Sequence, residues 1–112
     1  MEKAQFDRYN KIDPDADVRA IFDQTNPNWS NTQEYNHQFV RYVMNSMHHT
    51  LLTRSYLFVN DVLDRLGIPA IPEGQLLGWR SFGMKEMDFS FTSDSEGGAI
   101  VLKNAQFIWH TL

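Results

Sequence analysis

Four histidines and fourteen acidic residues are the side chains in this 112-residue sequence that could bind a metal or move a proton. His37 and His48 are eleven residues apart. On a helix they would share a face but sit about 16 Å from one another, too far to hold one ion. His48 and His49 are adjacent and would diverge by about 100° around the axis. No His-x-x-x-His pair exists, so a site would need His110 or carboxylates delivered by folding. Asp13, Asp15 and Asp17 look like the opening of a calcium loop. Such a loop needs Gly at its sixth position and Glu at its twelfth, and Val18 and Gln24 stand there. The expectation is no metal and no cofactor.

Other catalytic patterns are equally thin. Cysteine is absent, which removes thiolate catalysis, disulfides and Cys-ligated metals. Gly67, Gly74, Gly78 and Gly83 form neither a phosphate loop nor a dinucleotide fingerprint. No Gly-x-Ser-x-Gly elbow occurs. Asp61 with Asp64, and Glu86 with Asp88, are carboxylate pairs of the sort found on any solvated face. The sequence therefore predicts no enzyme.

Charge narrows the partner class. Ten Lys and Arg against fourteen Asp and Glu give a net charge of -4, and no two basic residues are adjacent. Nucleic-acid binders cluster their cations, because neutralising phosphates drives their affinity. Direct nucleic-acid binding is not expected. Leu57–Ile68 resembles the first helix and turn of a helix-turn-helix, but Pro69, Pro72 and Gly74 follow where a basic recognition helix belongs. No apolar run approaches the ~18 residues of a membrane span. Met1–Asn10 is polar, unlike a signal peptide. The expected location is the cytoplasm or a virion, away from membranes.

The elements that must position any site read as follows. Residues 1–12 form a polar lead. Asp13-Pro14 signals a helix start, and Val18, Ile21 and Phe22 then fall at helical spacing up to Asn26-Pro27. Ser30 with Gln33 fits a capping box for a second helix. That helix runs from about Gln33 to Thr53, with Tyr35, Phe39, Val43, Met47 and Leu51 one turn apart. Tyr56–Val59 fits either a buried strand or more helix. Asn60 can cap a short helix from Asp61 to Leu66, which Gly67 and Pro69 terminate. Residues 69–74 read as an extended connection.

Helical spacing then gives way to β signals. Leu76–Phe82 contains a strand, and Met87, Phe89 and Phe91 alternate with polar residues. Ser93–Gly98 is a turn, Ala99–Lys103 a return strand, and Phe107–Trp109 a last strand at a sheet edge. The prediction is one α+β domain spanning 1–112. N-terminal helices, one of them long, pack on a small C-terminal antiparallel sheet of about three strands.

Aromatics supply the candidate site. With hydrophobic residues at 42% and aromatics at 13%, the chain has both a core and rings to spare. Tyr and Trp are preferred interface anchors. Tyr9, Trp29, Phe107 and Trp109 are the predicted partner-contact residues. An alternative site would set Trp79 against a base, with Arg80 and Lys85 near its phosphate.

Tyr56–Gly67 followed by Ile68-Pro69 and Gly78-Trp79, with Asp13-Pro14-Asp15 and Asn28-Trp29-Ser30 upstream, resembles small uncharacterised proteins of bacteriophages and prophages of Gram-positive gut bacteria. The quoted motifs are caps, turns and core positions. They transfer no catalytic residue, and the resemblance implies a viral origin without a settled activity. The expected function is protein–protein binding, as an inhibitor of a host or defence protein or as a virion-assembly component. A nucleotide-sequestering module and a structural homo-oligomer are the alternatives.

Overall fold

The computed structural model describes residues 17–82 and 86–108. The polar lead, the Asp13-Pro14 helix start, Lys85 and the chain from Trp109 onward lie outside them. The order is β1 (Val18–Phe22), α1 (Gln33–Arg54), β2 (Tyr56–Phe58), α2 (Val59–Leu66), a 3-10 turn (Pro72–Gln75), β3 (Leu77–Arg80), β4 (Asp88–Asp94), β5 (Gly97–Lys103) and β6 (Gln106–Phe107). The α+β expectation holds. The strands form two antiparallel three-stranded sheets, β1-β5-β4 and β2-β3-β6, rather than a single sheet of about three.

The extra strands come from segments whose sequence is ambiguous. The helix expected over Val18–Phe22 is a strand. Val18, Ala20 and Phe22 are buried while Arg19 and Ile21 face outward. Three apolar residues at 18, 21 and 22 fit a helical stripe, but 18, 20 and 22 fit a period of two equally well. Pairing decides between them: β1 lies antiparallel to β5, with Val18 opposite Leu102 and Phe22 opposite Gly98. Tyr56–Phe58, open between strand and helix, is a strand paired with β3.

Two expected caps are replaced. Ser30 Oγ accepts from the Thr32 N–H at 3.1 Å, while Gln33 reaches across to β4 and donates to the Asp94 carbonyl at 2.6 Å. Asn60 lies inside α2. The helix is instead capped by Asp61, whose carboxylate accepts from the Phe58 N–H at 3.0 Å. Gly67 ends α2 at φ 78°, as its type predicts.

One core joins both sheets and both helices. Phe22, Ile100 and Leu102 of the first sheet share this core with Val40, Val43 and Met44 of α1. Leu57, Leu77 and Trp79 of the second sheet close on Val62, Leu63 and Leu66 of α2. Phe22 stacks on Phe39 at 5.6 Å between ring centroids. The hairpin of β4 and β5 places Phe91 opposite Ile100 and Asp94 opposite Gly97. Asn104 at φ 68° turns the chain from β5 toward β6.

Candidate binding surface

The solvent side of the second sheet gathers cations and rings. Ser55, at φ 77°, stops α1 and donates its N–H to the Leu51 carbonyl, so the chain reverses directly into β2. Tyr56 then pairs with Arg80, Leu57 with Trp79 and Phe58 with Gly78. Side chains alternate across a strand. Leu57 and Trp79 therefore enter the core, and Tyr56, Phe58 and Arg80 share the opposite face.

Three ring contacts organise this face. The Arg54 guanidinium lies 4.5 Å from the Tyr56 ring centroid. Tyr56 and Phe58 meet edge to face at 5.7 Å. The Arg80 guanidinium lies 5.3 Å from the Phe82 centroid, and Phe82 is 65% exposed. At Gly78 an added Cβ would fall 2.0 Å from the Leu57 carbonyl oxygen, so the close approach of β2 requires glycine. Arg54 pairs with Asp61 at 3.4 Å, with both side chains well exposed. Among the described residues Arg80 has no ion pair.

Such a face can do defined chemistry. A guanidinium over a ring keeps its in-plane N–H groups free for carboxylate or phosphate oxygens, and the rings offer apolar area. Beside it, a cleft of about 220 Å³ is lined by Met47, Thr50, Leu57, Arg54, Arg65, Asp61 and Asp64. Its two cations and two carboxylates offset one another.

A serine beside a histidine occurs once among the described residues' hydrogen bonds, at Ser93 Oγ and His37 Nε2, 3.4 Å apart. The Ser93 hydroxyl donates to Gln33 Oε1, and the His37 ring packs 4.6 Å from Phe91. These contacts fasten the first turn of α1 to β4. No group of three metal-ligating side chains converges among the described residues.

The structure separates the residues predicted from sequence. Trp29 is half-buried, its ring edge-on to Phe22 at 5.6 Å. Phe107 is 42% exposed on β6, an edge of the other sheet. Tyr9 and Trp109 lie outside the described residues. In the alternative site, Trp79 is fully buried, with its indole N–H donating to the Lys103 carbonyl at 2.8 Å. It cannot stack on a ligand, and it points to the opposite side of β3 from Arg80. Lys85 lies outside the described residues.

Arg54, Tyr56, Phe58 and Phe82 were not predicted. The available signal was Arg54-x-Tyr56-x-Phe58 beside Arg80-x-Phe82, each a period-two repeat of cation and ring. An uninterrupted apolar run at 56–59 hides that alternation.

No curated protein and no solved structure matches the chain. A family of unknown function, DUF6353, matches over residues 1–108, and the chain belongs to that family.

Proposed function

We propose that this protein acts by binding another protein, and that the Arg54–Tyr56–Phe58–Arg80–Phe82 face is its contact surface. The observation that carries the reading is Arg80 lying against the exposed Phe82 ring with no acidic partner among the described residues. Arginine and aromatic residues dominate the energetics of protein interfaces. A protein of net charge -4 that keeps this face locally cationic and aromatic is suited to a partner presenting carboxylates. In the phage setting that the resemblance suggests, the partner is a host or virion protein, bound for inhibition or assembly.

A photo-reactive phenylalanine analogue replacing Phe82 tests the proposal in cells. It should form an adduct with a distinct polypeptide, and the adduct should disappear with Arg80→Glu. The analogue at Thr92, on the other sheet, should form none. Equal labelling from both positions, or none from position 82, would overturn the reading.

A second reading uses the same guanidinium-on-ring pair for a small anionic ligand, with Phe82 in place of the buried Trp79. Titration with a panel of nucleotides distinguishes it, since saturable binding abolished by Arg80→Glu would favour this reading.

A further inference from the structure

The first sheet carries a second surface, independent of the arginine–aromatic face. Its order is β1-β5-β4, so among the described residues β1 is an edge strand whose ladder bonds run to β5 alone. An open strand edge presents unpaired N–H and C=O groups, and proteins ordinarily blunt it with charged side chains, proline or a bulge. Val18–Phe22 contains no proline, its register with β5 runs unbroken through all five residues, and its single charge is Arg19. The outward residues are Arg19 and Ile21, and Ile21 is 47% exposed. Asp23 follows the strand directly, and Arg19, Ile21 and Asp23 all line an open depression of about 450 Å³.

Their order is self-complementary. Arg19 and Asp23 lie two residues either side of Ile21. We infer that β1 pairs antiparallel with β1 of a second copy of this chain, about a two-fold axis at Ile21, joining the two three-stranded sheets into one of six. In that register Arg19 of each copy lies opposite Asp23 of the other, and the two Ile21 side chains meet on the axis. Opposite charges in directly facing cross-strand positions are favourable, and like charges are unfavourable.

Two competing arrangements fail on charge. Moving the axis to Ala20 sets Asp17 against Asp23 and turns Arg19 onto Ile21. Parallel pairing in register sets Arg19 beside Arg19. A two-fold contact also satisfies itself, because each copy offers the same patch and receives it. An arbitrary extended peptide would gain the main-chain bonds of strand addition but not both ion pairs. The contact is one strand wide, well below the roughly 800 Å² per partner of a standard stable interface, so the dimer is weak and concentration-dependent.

Sedimentation equilibrium over a concentration series tests this with charge-swapped variants. The wild-type chain should pass from monomer to dimer. Arg19→Asp alone and Asp23→Arg alone should each weaken association by about tenfold or more, through two repulsive contacts each. The double variant Arg19→Asp/Asp23→Arg should associate as the wild type does. An equimolar mixture of the two single variants should form heterodimers, since both facing pairs are then opposite in sign. Circular dichroism of each variant confirms that it is folded. A wild-type chain that stays monomeric throughout overturns the inference. So do single variants that dimerise as well as the wild type, or a double variant and a mixture that remain monomeric.

Discussion

Asn60 holds Ile71 as one strand holds another. Its side-chain Nδ2 donates to the Ile71 carbonyl at 3.0 Å, and its Oδ1 accepts from the Ile71 N–H at 3.0 Å. One amide side chain thus satisfies both main-chain groups of a residue eleven positions away. It fastens the segment after Pro69 to α2 and sets where β3 begins. Gly74 completes the contact, because a Cβ there would fall 2.0 Å from Asn60 Oδ1. Asn60→Ala should cost about 1–3 kcal/mol in urea unfolding, because the Ile71 N–H loses its acceptor while the Ile71 carbonyl keeps the Gly74 N–H at 3.0 Å. Gly74→Ala should also destabilise the protein, and the two losses should fall short of additive when combined, because the truncated Asn60 removes the clash.

Trp79 ties the two sheets together through its indole N–H and the Lys103 carbonyl. Trp79→Phe keeps most of the ring volume and leaves that carbonyl without its donor. A loss of about 1–3 kcal/mol is expected by chemical denaturation.

The strand assignment of β1 makes a pattern that a helix would not. Phe22 is fully buried and Ile21 is half outside. Phe22→Ala should cost about 3–5 kcal/mol. Ile21→Ala should change monomer stability by less than about 0.5 kcal/mol, as surface substitutions do. A helical segment would bury both side chains and make both substitutions costly.

Asp23 carries an acid-range signature. The Thr25 hydroxyl donates to its carboxylate at 2.6 Å and the Thr25 N–H at 3.0 Å, and these bonds hold its pKa below the usual 3.8, the hydroxyl contributing most. Because the folded pKa lies below the unfolded one, the associated stability is present above the unfolded value. It is lost as pH falls through the folded value. Thr25→Val removes the hydroxyl donor. In an NMR titration of the side-chain carboxyl carbon, the Asp23 midpoint should move up toward 3.8 in that variant. The pH dependence of unfolding in this range should flatten with it.

Arg80→Glu separates binding from folding. Arg80 makes no ion pair among the described residues, so the variant should unfold within about 0.5 kcal/mol of the wild type. Its cross-linking from position 82 should nevertheless fail.

Much of the architecture was legible in the chain. The long helix shows in Val40, Val43, Met47 and Leu51, buried at three- and four-residue steps. The β4–β5 hairpin shows in Phe89 and Phe91 alternating with polar residues ahead of Gly97-Gly98. Gly67 marked the end of α2 because a left-handed residue there strongly favours glycine. The binding surface was largely illegible. Arg80 was singled out, but with the wrong neighbours. Adjacent residues on a strand face opposite ways, so Trp79 and Arg80 cannot serve one ligand together.

By itself, then, the sequence determined the α+β class, the end of α2 at Gly67 and the hairpin, because these rest on local periodicity and on glycines that tolerate positive φ. Only the tertiary structure decided that Val18–Phe22 is a strand, that Tyr56 faces Arg80, and that Asn60 serves Ile71 instead of capping a helix. Each of these depends on a partner between eleven and eighty-four residues away. A short apolar run is compatible with helix or strand until its neighbour's free hydrogen-bonding groups and its share of the core settle the matter.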